Sequence, residues 1–238
     1  MIDLLSAPVD AVLAAGERMA GGDARKLVAP ADLAAAEERV REEDRRRTLA
    51  GRLALRLLAG RRICERPAAL TVDRSCDRCG APHGRPRLAG LSASTSTSGD
   101  RVLVAVGPPD AELGVDVQVV PERLWDGFDE YALHPSERRA GLDAAERIRL
   151  WAEKEAVLKA AGHGLRAAPS RLRLGGGEPW RAVAETAIPG TAHLRCTVVE
   201  RTASSWAVLA SARELPLRRW SIDPGGEGLV AEPVGALA

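Results

Sequence analysis

Lysine is nearly missing from this chain: only Lys26, Lys154 and Lys159 stand among 34 cationic residues. Where charge alone is wanted the sequence uses arginine, so a retained ammonium, compact and strongly hydrated, points to a specific task. Aromatic residues are also scarce, at 3 %, and the net charge is only +1. Both argue against a nucleic-acid binder, which would use a basic face and stacking side chains. No apolar run approaches the roughly 18 residues that a membrane span requires, and Leu53–Leu58 is interrupted by Arg56. The first residues lack a basic leader followed by an apolar core, so no secretory signal is expected. These absences describe a soluble cytoplasmic protein, expected as a monomer, with enough apolar residues for one large core or two modest ones.

Two of the three lysines lie in one block, Trp151-Ala-Glu-Lys154-Glu155-Ala-Val-Leu-Lys159-Ala-Ala-Gly162-His-Gly164-Leu165. Asp143 can cap a helix here, Glu146 completes a capping box, and Gly162 supplies the stop. Ile148, Trp151, Glu155 and Leu158 then share one stripe, which places a carboxylate on an apolar face. Such a group needs a metal, a cation or a hydrogen-bond partner, because burying it unpaired is costly. Lys159, one turn on, reaches the same space. Taken alone, Glu155 and Lys159 also fit an exposed i, i+4 pair, worth only about 0.3–0.5 kcal/mol.

A second motif, Gly114-Val-Asp116-Val-Gln118-Val-Val120, alternates as a strand. Val115, Val117 and Val119 take one face, and Asp116 and Gln118 the other, roughly 7 Å apart by strand rise. With Glu155, these oxygens could surround a hard divalent cation such as Mg2+. A half-buried strand with its polar side in solvent fits the same pattern.

The two motifs together resemble the surfactin-type 4′-phosphopantetheinyl transferases, whose signatures read G-[IV]-D-[IV]-E and W-x-x-K-E-[AS]-x-x-K-x-x-G-x-G-L. The second is matched at Trp151, Lys154, Glu155, Ala156, Lys159, Gly162, Gly164 and Leu165; the first is matched at Gly114 to Val117 but ends in Gln118. Looser likeness extends over about residues 43 to 212. Arg47 matches an arginine that helps hold the coenzyme A nucleotide. Gly84-Arg85-Pro86 matches a G-[KR]-P turn at the 3′-phosphate end, and Ser96-Thr97-Ser98-Gly99 matches an S-H-[ST]-G segment. A register with Ser94-Thr95 in that last role is equally open.

The resemblance implies transfer of phosphopantetheine from coenzyme A to a serine of an apo acyl or peptidyl carrier protein. Asp116, Gln118 and Glu155 would hold Mg2+; Glu155 would take the serine proton; Lys159 would face the phosphates, and Lys154 would either assist there or neutralise nearby acids. Arg47 and Arg85 would clamp the 3′-phosphate, with Ser96 and Thr97 beside it. Two departures matter: Gln118 replaces an acid, which lowers the charge on the metal, and Thr97 replaces a phosphate-binding histidine. They motivate an alternative, a catalytically impaired relative that binds carrier proteins or coenzyme A.

Cys76-Asp-Arg-Cys79 with His83 nearby looks like half a zinc knuckle. The second half at regular spacing is absent, although Cys64 could complete four ligands. The expected reading is a turn with reduced thiols. His134, His163 and His193 show no partner pattern.

The fold class expected is α+β. Residues 1–25, rich in Ala and Gly, read as a flexible extension or a short helix. A first subdomain, 26–120, opens with helical periodicity over 31–60 and carries alternating segments at 68–73, 102–106 and 114–120. A second, 121–212, starts helix-rich and returns to strands at 170–174, 192–199 and 206–212. Residues 213–238, with Pro216, Pro224-Gly-Gly226 and Pro233, read as an extended tail. The resemblance adds that the subdomains are similar, related by a pseudo-twofold, with Asp116 contributed by one and Glu155 by the other.

Overall fold

The computed structural model describes residues 1–177, 179–223, 225 and 228–232, with the backbone alone at Leu165. It is an α+β protein of two compact units, one built from Met1–Pro109 and the described residues of 215–232, the other from the described residues of 110–214.

In the first unit, β1 (Ile2–Pro8), β2 (Ser92–Ser98), β3 (Arg101–Gly107), β9 (Leu217–Ile222) and β10 (Leu229–Ala231) form a sheet in the order β10-β9-β1-β3-β2. Three helices accompany it: α1 (Val9–Met19), α2 (Pro30–Glu37) and α3 (Glu42–Ile63). Helix α3 opens on Glu42, Glu43 and Asp44 and closes on Arg61 and Arg62, charges that complement its dipole. Its Leu53, Ala54, Leu57 and Leu58 recur at helical spacing and pack into a core with Leu5, Val102, Val104 and Trp220. Arg56, buried on the same helix, donates to Asp32 (2.7 Å) and to the carbonyls of Pro67 (3.0 Å) and Leu70 (2.8 Å), tying α2 and the Pro67–Ala69 turn to α3.

The short helix read within residues 1–25 is present as α1, but the residues before it, and the tail, depart from expectation. Residues 2–8 are a central strand, antiparallel to β3 and parallel to β9, with Ile2, Leu4 and Leu5 buried. The tail returns as β9 and β10. Asp3 locks this arrangement: its buried carboxylate accepts from Arg218 (2.5 Å), from Trp220 Nε1 (2.8 Å) and from Arg62 of α3. Burial alone would raise its pKa, but these donors outweigh that and hold it below the usual carboxylate range. Pro224, Gly226 and Pro233, on which the tail reading rested, lie outside the described residues. Residues 68–73 form the end of a 3-10 turn and a single bridge, Asp73 to Arg87, rather than a strand.

The second unit holds β4 (Gly114–Val119), β5 (Leu172–Leu174), β6 (Arg181–Thr186), β7 (Arg195–Arg201) and β8 (Ser205–Ser211), in the order β4-β8-β7-β6-β5. Its helices are α4 (Phe128–Ala132) and α5 (Ala144–Ala160). The division expected at residue 120 therefore falls before β4. Register explains it: β4 runs antiparallel to β8, with Asp116 opposite Val208, so it belongs to the sheet of the second unit. Asp116 and Glu155 come from one unit.

Helix α5 follows its local signals. Asp143 accepts from Glu146 N (2.7 Å), and Glu146 reaches back to Asp143 N (3.4 Å). At the other end Gly162 adopts φ +78, with His163 N donating to Leu158 O (2.8 Å) and Gly162 N to Lys159 O (3.1 Å). That pair of bonds is the Schellman stop, which needs a residue tolerant of left-handed backbone. Ala152, Ala156 and Leu158 of α5 pack with Leu172, Leu194, Cys196 and Val208 in the core of this unit.

Candidate active site

Gly114, Asp116 and Gln118 alternate onto the face of β4 that meets α5. At Gly114 the approach is so close that a Cβ would stand 2.0 Å from Ala156 O and 2.4 Å from Ala160 N. Only glycine admits that contact. Two residues along the strand, the face carries Asp116 opposite the turn of α5 that holds Glu155 and Lys159.

Asp116, 1 % exposed, accepts from Lys159 Nζ at Oδ1 (2.6 Å) and from Gln118 Nε2 at Oδ2 (2.9 Å). Lys159 Nζ also donates to Val115 O (3.1 Å). Glu155 is equally buried, but its Oε1 has no hydrogen-bond partner. Burial and then the neighbouring Asp116 carboxylate push its pKa up to about 7, against a weaker opposing pull from Lys159. The Trp151 indole adds a minor opposing pull, yet its Nε1 is itself buried without a hydrogen-bond partner, so it does not satisfy Oε1. Two buried carboxylates, one with an orphaned oxygen, and the amide oxygen of Gln118 form a donor set suited to a hard divalent cation, with the Lys159 ammonium beside it as a second positive charge.

Lys154 turns elsewhere. It is fully buried, donating to Ala132 O (2.9 Å) and to Glu137, and so fastens the segment after α4 to α5. Burial lowers its pKa, and the Glu137 carboxylate opposes that shift. Of the two roles open to it, phosphate contact and neutralisation of nearby acid, the structure gives it the second.

In the first unit, Arg47 lies in the early part of α3, pairs with Asp44 and donates to Gly99 O in the β2–β3 turn (3.3 Å). Gly51, one turn along α3, faces Thr97, whose Cγ2 would be 3.0 Å from a Cβ there. Ser96, on β2 beside Thr97, is buried. Arg85 donates to Ser92 Oγ (3.3 Å) at the start of β2, Pro86 is buried, and Gly84 N donates to Arg74 O (2.7 Å). The anchors of Arg47 and Arg85 thus sit at opposite ends of β2, roughly 20 Å apart by strand rise. One phosphate does not meet both guanidinium groups in this arrangement, which departs from the expected shared clamp.

Sequence reasoning missed an aromatic cluster bordering the site. Trp125, Phe128 and Trp151 meet edge to face, with ring centroids 4.6, 5.4 and 5.7 Å apart. Trp125 is half exposed and lines an open groove with Val119, Leu124, Ile148 and Trp151. Tyr131, whose hydroxyl pKa is raised by its own burial and by the Glu155 charge, stands near enough to sense that carboxylate. The only signal in the sequence was rarity, since Tyr131 and Phe128 are the single tyrosine and phenylalanine.

Residues 112–221, the stretch holding Asp116, Gln118, Glu155 and Lys159, match the family model described as the 4′-phosphopantetheinyl transferase superfamily. More particularly, it is similar to the slr0495 protein of Synechocystis sp., which is named provisionally as a 4′-phosphopantetheinyl transferase. The two are 28 % identical over 151 residues, and the match covers 58 % of each chain. Arg47, Gly84, Arg85, Pro86, Ser96 and Thr97 precede the residues of the family match. Among the described residues no helix is long and apolar enough to cross a membrane.

Proposed function

We propose that this protein is a Mg2+-dependent 4′-phosphopantetheinyl transferase of the surfactin type, acting on coenzyme A and an apo acyl or peptidyl carrier protein. The observation that carries the reading is the orphaned, buried Glu155 carboxylate beside Asp116. Such a pair is costly to keep without a cation, and a cation between phosphate and carboxylates is what this chemistry uses.

Asp116 and Glu155 would hold Mg2+, with Gln118 presenting its carbonyl oxygen in place of the amide N–H that now meets Asp116. Bound there, the ion supplies charge neutralisation and orientation of the pyrophosphate. The carrier serine Oγ attacks the β-phosphorus, the bond to the bridging oxygen breaks, and adenosine 3′,5′-bisphosphate leaves with the electron pair. Glu155, directly or through water, would accept the serine proton; burial and Asp116 hold its pKa up, and a bound cation would pull it back towards the ionised form that can act as base. Lys159, paired with Asp116, would face the phosphate oxygens. Arg85, in the G-R-P turn, would take the 3′-phosphate and Arg47 another part of the nucleotide, with Ser96 and Thr97 of β2 supplying hydroxyls.

The test is incubation of the full chain with coenzyme A, Mg2+ and a panel of apo carrier proteins, followed by intact mass measurement of the carriers. A Mg2+-dependent gain of one phosphopantetheine on at least one carrier is expected. Binding of coenzyme A with no gain on any carrier would overturn the transferase reading and assign the impaired binding module instead.

A further inference from the structure

The sequence leaves Cys76 and Cys79, with His83 near them along the chain, as half a knuckle. The fold brings in the third group: the ligand atoms of Cys76, Cys79 and His83 all lie within 4.8 Å of one another. Cys79 Sγ and His83 Nε2 are 3.0 Å apart. In a tetrahedral zinc site, Zn–S near 2.3 Å and Zn–N near 2.0–2.1 Å put neighbouring ligand atoms about 3.5–3.8 Å apart. Small side-chain rotations bring these three atoms to that spacing.

The backbone is already folded as a ligand turn. Gly80 N donates to Cys76 O (2.9 Å) and Cys76 N to Ala81 O (2.9 Å), while Gly80 takes a left-handed φ of +71. The turn therefore aims both sulfurs to the same side. His83 follows immediately, its own N–H donating to Ala81 O (2.8 Å).

The surrounding loop is held by polar contacts, Arg52 to Pro82 O (3.3 Å) and Arg87 to Ser75 O (3.1 Å) and Asp77, and not by a core of its own. The bridge between Asp73 and Arg87 closes it, and from Arg74 to Arg85 no residue is buried; Pro86 is the first. A long exposed segment gains little from apolar burial, and small segments of this kind are commonly held by a metal instead. Two thiolates and an imidazole suit Zn2+ and not Mg2+, which wants oxygen. Cys64, the other candidate ligand, sits exposed at the C-terminal cap of α3 and is not part of the group.

We propose that Cys76, Cys79 and His83 bind one Zn2+, with water in the fourth position, and that this ion holds the loop that presents Arg85. Ser75 and Gly84 adjoin the first and last ligands, and a Cβ on Gly84 would be 2.7 Å from Ser75 O, so the ion closes a ring one residue short of Gly84-Arg85-Pro86. The metal itself stands independently of the proposed function; what Arg85 contacts rests on it.

Titration of the reduced full chain with Co2+ reads the site directly. A thiolate-to-cobalt charge-transfer band in the near ultraviolet, saturating at one equivalent and bleached by Zn2+, is expected. The oxygen donors of Asp116, Gln118 and Glu155 cannot produce that band, so failure here is distinct from failure of the transferase assay. C79S and H83A are expected to weaken Co2+ binding at least roughly tenfold, and C64S to leave it unchanged. Hydrogen exchange over residues 74–86 is expected to slow on adding Zn2+ to the wild-type chain. Absence of the band in the reduced wild-type chain, or its persistence in the C76S/C79S double variant, overturns the assignment.

Discussion

Gly114 of β4 and Ala156 of α5 meet so closely that a Cβ on the glycine would lie 2.0 Å from the Ala156 carbonyl oxygen. This contact sets the distance between the strand carrying Asp116 and the helix carrying Glu155 and Lys159. The first residue of the strand motif is therefore a spacer for the site.

Gly114→Ala is expected to force α5 away from β4, since the obstructing atoms are backbone and cannot rotate aside. The cost is at least about 1–3 kcal/mol of stability, read as a shift in urea midpoint, with transfer falling as Asp116 and Glu155 separate. An unchanged midpoint and unchanged transfer would contradict the spacer role.

Glu155→Gln removes the proton acceptor and one metal ligand while keeping the shape. Transfer is expected to fall by about 10²–10⁴-fold with the circular dichroism spectrum retained. Residual activity near wild type would show that another group takes the serine proton.

The raised Glu155 pKa also makes a statement about stability in the metal-free protein. Its folded value, about 7, lies above the ordinary 4.5, so the folded state binds the proton more tightly. That contribution is complete below about pH 4.5, declines as pH rises towards 7 and is absent above it. Denaturation in EDTA should find Glu155→Gln close to wild type at the acid end and more stable at pH 8, by on the order of 3 kcal/mol. Equal stability of the two proteins across this range would mean that Glu155 is better solvated than its burial implies.

Gln118→Glu places a third carboxylate beside Asp116 in exchange for an amide donor. Without metal the variant should be less stable than wild type, by repulsion and loss of that hydrogen bond, about 1–3 kcal/mol. With Mg2+ its melting temperature should rise by more than that of wild type, and half-activation should need less Mg2+. A metal response identical to wild type would place residue 118 away from the ion.

Lys154→Met leaves the half-buried Glu137 carboxylate without its cation: Oε1 already lacks a partner, and Oε2 keeps only the His134 N–H. A loss of about 3–5 kcal/mol is expected in equilibrium unfolding. The paired change Lys154→Met with Glu137→Leu should recover much of it, because the buried charge goes with its partner. No recovery would mean that Lys154 acts through something other than this ion pair.

What the sequence determined by itself was short in range. Asp143, Glu146 and Gly162 bound α5, and alternation put Asp116 and Gln118 on one face of β4, because caps and side-chain periodicity act within a few residues. Glu155 was legible as a carboxylate on an apolar stripe for the same reason. Partner choice between distant segments was left to the tertiary structure. It seated residues 2–8 and 217–222 as paired strands around the buried Asp3, carboxylate and donors lying more than two hundred residues apart. It moved β4 into the sheet of the second unit, turned Lys154 towards Glu137, and folded His83 back onto Cys79. Each of these depends on which surface is available to bury a strand or pair a charge, and such surfaces exist only once remote parts of the chain have come together.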